Sequence, residues 1–149
     1  IYTLSLHDAL PILVIPEQVF IDDYAHHPTE LNALYNGVRT MYPHKEITIL
    51  FQPHLFTRTR DFADGFAKSL SQFDRVVLLD IYPARELPIE GVTSQWLLDK
   101  IENPNKVLLS KSEIINYLQA HPARVLVLAG AGDIGVEVEK IKKFLEKDV

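Results

Sequence analysis

The stretch ITILFQPHLFTRTRDFADGFAKSLSQFDRVVLL, residues 47–79, decides the fold. Ile47 to Phe51 is a short apolar run rich in β-branched residues, and Val76 to Leu79 is another. Between them Phe62, Phe66, Ala67, Leu70 and Phe73 recur at three and four residues, the spacing that lines one face of a helix. Neither run alternates cleanly between apolar and polar residues, so both strands are expected to be covered on both faces. Two such strands joined by a helix read as a parallel pair, because parallel neighbours need a crossover.

The same pattern extends outward in both directions. Upstream, Val19-Phe20-Ile21 ends at Asp22-Asp23; after Pro28, the residues Leu31, Leu34, Tyr35, Val38 and Met41 mark a buried helix face. Pro28 suits the first helical turn, where its missing N–H costs nothing. Downstream, Ser94 is expected to cap a helix carrying Leu97, Leu98 and Ile101, and Val107 to Leu109 forms a short strand. Ser110 and Glu113 have capping-box spacing before Ile114, Ile115 and Leu118. Val125 to Leu128 then runs into Gly130-Ala131-Gly132 and a last helix with Ile134, Val138, Ile141 and Leu145 on one face. β-then-α units in series predict an α/β fold: a doubly wound, mostly parallel sheet of about five to six strands with helices on both faces. Ligands in such sheets sit beyond the carboxyl ends of the strands. That rule singles out the segments after Ile21, Phe51 and Leu128.

Composition sets the outer bounds. The 149 residues carry 15 basic and 20 acidic side chains, a formal charge of −5, and suit one domain. The acidic balance argues against nucleic acid as the main partner, and no apolar run is long enough to span a bilayer. Without cysteine there is no disulfide, thiolate zinc site or cysteine nucleophile. A soluble, cytoplasmic domain is expected. Residues 1–12 differ in character from the rest: there is no initiator Met, and His7 and Asp8 interrupt any apolar core. This stretch is expected to be non-native, with the domain proper over residues 13–149.

The first chemical segment is Asp22-Asp23-Tyr24-Ala25-His26-His27-Pro28. Adjacent strand side chains face opposite ways, so the two acids need not share a site. One carboxylate could accept hydrogen bonds from ribose hydroxyls or help hold a cation. One imidazole could approach phosphate or substrate, aided by the partial positive charge of the helix start. The plainer use is capping by the acids with both histidines on the surface, but the clustering at a strand's carboxyl end favours a functional one. Adjacent histidines lack the one-turn offset of a helical zinc pair, and no metal site is expected.

The second segment holds His54, Arg58 and Arg60 among hydroxyls. Guanidinium groups there suit a carboxylate or phosphate bound through paired hydrogen bonds. The competing use is a solvated pair with Asp61 or Asp64, worth at most about 1 kcal/mol. The third, Gly130-Ala131-Gly132-Asp133-Ile134-Gly135, fits a dinucleotide-binding turn. Asp133, however, would put negative charge where pyrophosphate should lie, and no acidic residue follows at the end of a next strand. There is no Walker-A phosphate loop, nucleophile elbow or HExxH. Trp96 and Met41 fall on helical faces and read as packing.

DDYAHHPTE (residues 22–30) and FQPHLFTRTRDF (residues 51–62) resemble the C-terminal domain of the Mur ligase family, with DIYPARE and GAGDI following in the right order. The resemblance implies a Rossmann-like domain closing over two others, a UDP-sugar-binding N-terminal domain and a central P-loop ATPase. It implies an ATP-dependent ligase of peptidoglycan precursor synthesis that adds L-alanine to UDP-N-acetylmuramate through an acyl phosphate, with Mg2+ held mainly by the central domain. By motif, Asp23 would meet the ATP ribose. Tyr24 and His26 would face the amino acid and phosphate, Arg58 would hold alanine's carboxylate, and His54 would lie nearby. His26 and Arg58 are thus the catalytic candidates, with Arg60 a lesser participant. Leu55 stands where many relatives have Arg and carries no role. Alone, the domain is expected to be inactive. The alternatives are a self-contained NAD-type domain using the GAGDIG turn, and a non-catalytic interaction module.

Overall fold

The computed structural model describes residues 10–15 and 18–147. Its strands are β1 (Leu10–Ile15), β2 (Gln18–Asp23), β3 (Ile47–Phe51), β4 (Arg75–Leu78), β5 (Lys106–Leu108) and β6 (Val125–Ala129). The helices are α1 (Pro28–Met41), α2 (Phe56–Asp61), α3 (Ala63–Leu70), α4 (Ser94–Lys100), α5 (Ile114–Ala120) and α6 (Glu137–Glu146), with 3-10 turns at Lys111–Glu113 and Asp133–Val136. The strands form one sheet in the order β1-β2-β6-β3-β4-β5; β2 to β6 run parallel and β1 is antiparallel.

Successive residues of each central strand enter two different cores, which is why the runs are continuously apolar. Val19, Ile21, Ile49, Phe51, Val76, Leu78, Val125 and Val127 pack beneath α1, α3 and α4. Phe20, Leu50, Val77, Leu126 and Leu128 pack against Ile114, Leu118, Ile141 and Leu145 of α5 and α6. This is the doubly wound sheet expected. The edge strand β1 was not anticipated. Leu10 and Pro11, within the stretch read as foreign, pair with Asp22 and Ile21 of β2, while residues 1–9 lie outside the described residues.

Local expectations hold with two corrections. Pro28 opens α1, and the Ser110–Glu113 capping box forms. The cap of α4 is Thr93, whose hydroxyl accepts the Trp96 N–H at 3.0 Å; buried Ser94 donates instead to Leu79 O at 2.5 Å. Ile134 belongs to a 3-10 turn rather than to α6. Among the described residues no helix is long and apolar enough to cross a membrane.

Candidate functional site

β6 lies between β2 and β3, and this order creates the site. The chains leaving β2 and β3 pass into α1 and α3 on one face, while the chain leaving β6 passes into α6 on the other. Neighbouring strands whose continuations part leave a crevice at their carboxyl ends. The first two chemical segments border it together.

From β2, Asp23 is 5% exposed, and its Oδ1 accepts the Ala25 N–H at 2.7 Å. That is the capping use, and it shapes the turn that presents Tyr24 and His26. Asp22, on the opposite face, has a carboxyl pushed up by burial despite a hydrogen bond from the Asp23 backbone. Tyr24 is exposed and meets the His26 ring edge-on, with centroids 5.4 Å apart. His26 Nδ1 lies 2.8 Å from Tyr24 O. A carbonyl can only accept, so Nδ1 carries a proton and donates, which leaves Nε2 as the atom turned to other partners. His27 leaves the site: its Nδ1 accepts the Thr29 N–H as the cap of α1, and its ring packs edge-on against Phe62.

From β3, His54 sits between His26 and Tyr82, with ring centroids 6.2 and 5.5 Å away. Tyr82 is drawn in by backbone bonds, Leu55 N to Tyr82 O at 2.9 Å and Tyr82 N to Pro53 O at 2.8 Å. Burial, followed by the charges of Arg58 and His26, pushes the His54 imidazole below its ordinary 6.5, against a weaker opposing pull from Glu86. His54 is therefore mainly neutral at pH 7. The structure separates the two arginines. Arg60 is exposed and pairs with Asp61 at 2.8 Å, the solvated pair weighed from sequence. Arg58 is half-buried beside His54 and makes no ion pair among the described residues. Asp64 pairs with Lys100.

The turn after β6 closes on the protein's own side chains. Gly130 (φ 151°) lies against Gln52 O, and a Cβ on Gly132 would come 2.6 Å from both Gln52 Oε1 and Tyr82 Cγ. Asp133 accepts from Gln52 Nε2 at 2.7 Å and pairs with Lys111. Burial works against its ionisation, yet hydrogen bonds from Lys111 and Gln52 outweigh it and hold the carboxyl below its usual range. A pyrophosphate would meet an ionised carboxylate here, so the dinucleotide reading is not favoured. Gln52, Tyr82 and Glu86 lie within the quoted motifs FQPHLFTRTRDF and DIYPARE but were given no role from sequence, and Lys111 lay outside them, flagged only by its place after β5. Among the described residues no cluster of three or more His, Asp or Glu is placed to hold a metal ion.

The model of the Mur ligase glutamate ligase domain matches residues 13–132. The chain belongs to the Mur ligase family. This Mur ligase domain is 60% identical over 131 residues to the UDP-N-acetylmuramate–L-alanine ligase of Flavobacterium johnsoniae, covering 88% of this chain and 29% of that protein. It is 63% identical over 127 residues to the protein of the same name from Christiangramia forsetii, covering 85% and 28%. It thus spans under a third of the length of these curated relatives. Its fold superposes on the UDP-N-acetylmuramate–alanine ligase of Thermotoga maritima with a TM-score of 0.68 at 24% identity, covering 92% of this chain and 28% of that one. A Mur-type ligase domain from Haemophilus ducreyi gives 0.65 at 18% identity over 89% of this chain and 94% of that one. These structural likenesses establish the fold of the Mur ligase domain.

Proposed function

We propose that the chain is the C-terminal domain of an ATP-dependent ligase that joins L-alanine to UDP-N-acetylmuramate, and that its share of the reaction is to hold the amino acid. The observation that carries this reading is the meeting of His26, His54 and Arg58 at one crevice. Relatives at 57–63% identity carry the name of that ligase.

In the reaction, the lactyl carboxylate attacks the γ-phosphorus of ATP and ADP departs. The alanine nitrogen then attacks the acyl carbon, the tetrahedral intermediate expels phosphate, and the nitrogen gives up its proton. Arg58, an unspent guanidinium, would bind alanine's carboxylate through paired hydrogen bonds. The neutral imidazole of His54, with His26 beside it, would accept an N–H bond from the amine, and Tyr24 would cover it. Asp23 would face the nucleotide ribose across the Ala25 turn. Mg2+, when bound, would neutralise phosphoryl oxygens. In this reading that ion and the phosphate loop belong to the rest of the enzyme. The need for ATP supports a cytoplasmic location.

Coupled phosphate release tests this reading. The chain alone, given ATP, L-alanine and UDP-N-acetylmuramate, should give no turnover above buffer, because positioning by the other domains is a large share of such catalysis. In a full-length parent enzyme, replacing Tyr24, His26 or Arg58 should slow release. Unchanged kinetics in all three variants would favour an interaction module and overturn the reading.

A further inference from the structure

One buried polar group takes no part in the chemistry above. Gln52 is 3% exposed; its Nε2 donates to Asp133 Oδ1 at 2.7 Å, and its Oε1 accepts the Ile134 N–H at 3.1 Å. The other oxygen of Asp133 takes Lys111, from the turn after β5. Charge-assisted hydrogen bonds thus tie the ends of β3, β6 and β5 along the wall of a cleft of about 320 Å3. Gln52 Oε1 and the Tyr82 ring both lie over Gly132, and the Tyr82 ring in turn lies 5.5 Å from that of His54. His54 Nδ1 is buried and has no hydrogen-bond partner among the described residues. Packing against neighbouring rings must therefore help set the angle of that imidazole.

We propose that Asp133 is a positioning residue: held between Lys111 and Gln52, it seats Gln52 on Gly132 and so fixes the Tyr82 ring that orients His54. The proposal rests on the reading that His54 faces substrate. The charged and titratable groups facing His54 are Arg58 from α2, His26 from the turn before α1, and Tyr82 and Glu86 from the loop after β4. Asp133 is not one of them, so it must act through packing.

The sign of the effect separates the possibilities. Losing a nearby negative charge would by itself lower a histidine's pKa, whereas a loosened Tyr82 ring would admit water and raise it. The test is an NMR pH titration of the His54 ring in the 149-residue chain. Asp133→Asn should raise the midpoint by roughly half a pH unit. Lys111→Met should raise it too, a direction that the loss of the lysine charge shares, so Asp133→Asn carries the sign test. Lys111→Arg, which preserves the pair, should titrate as wild type, and Tyr82→Ala should show a rise at least as large as Asp133→Asn. A midpoint unchanged or lowered in a folded Asp133→Asn or Lys111→Met chain would overturn the proposal. If the midpoint rises while His54→Ala leaves the kinetics of a full-length parent unchanged, the positioning role stands and the functional reading fails.

Discussion

The carboxylate of Glu86 sits on the first turn of α2, taking both the backbone N–H (3.1 Å) and the hydroxyl of Thr57. α2 has no side-chain cap of its own, so this loop residue supplies one and holds in place the helix that carries Arg58. The hydrogen bonds from Thr57 depress the Glu86 carboxyl below its usual 4.5. A carboxyl lowered on folding adds stability above its unfolded pKa, and that stability is lost as pH falls through the folded value. Glu86→Gln should therefore lower Tm near pH 7 and make little difference once the pH is well below the native pKa. Thermal melts of both chains across that range check this; a Tm difference that persisted undiminished at the acid end would contradict it.

Gly132 and Gly135 share one turn but should respond oppositely to alanine. A Cβ at 132 collides with the Tyr82 ring and with a Gln52 side chain already held by Ile134, while a Cβ at 135 meets nothing within 4 Å. Gly132→Ala should cost about 1–3 kcal/mol through overpacking. Gly135→Ala should be neutral or gain about 0.4–1 kcal/mol by restricting the unfolded chain. Urea denaturation of both variants measures the contrast.

What the sequence made legible was what local spacing controls. The periodicity of residues 62–73 marked α3, the run at Val125–Leu128 marked β6, and Ser110 with Glu113 marked a helix start. The insertion of β6 between β2 and β3 was not legible, because strand order depends on pairings far apart in the chain. The division between the arginines was hidden for a related reason. Arg58 lies between Thr57 and Thr59 and Arg60 between Thr59 and Asp61, and spacing alone let either arginine pair with an acid; the turn at Leu55 and the approach of Tyr82 decide which one faces His54. Lys111 and Asp133 each look like a surface charge until the fold brings them together.

Leu55 occupies left-handed backbone at φ 73°, just where β3 gives way to α2. Its N–H donates to Tyr82 O, and its carbonyl accepts from the Thr59 backbone and hydroxyl, so the surrounding bonds hold the strain in place. Such a conformation costs a non-glycine residue about 1–3 kcal/mol. Glycine adopts it freely but loses roughly 0.5–1 kcal/mol in chain entropy. Leu55→Gly should thus be neutral to stabilising, and Leu55→Val should be destabilising because a β-branched residue tolerates positive φ poorly. Chemical denaturation that ranked valine above glycine would show that the turn is not strained.

The two arginines of the second segment should separate kinetically in a full-length parent enzyme. Arg58 is half-buried next to a neutral imidazole and has no carboxylate of its own among the described residues, so a bound amino-acid carboxylate would complete it. A hydrogen bond to a charged group contributes about 1.5–3 kcal/mol, so Arg58→Ala should raise KM for L-alanine roughly ten- to hundredfold. Arg58→Lys should recover little of this, since an ammonium cannot reproduce the paired geometry. Arg60 already pairs with Asp61 in solvent, and an exposed pair contributes little. Arg60→Ala should leave KM for L-alanine within about twofold of wild type. Initial rates at varied L-alanine with ATP and UDP-N-acetylmuramate saturating give both constants, and equal penalties at the two positions would mean that the carboxylate is held elsewhere.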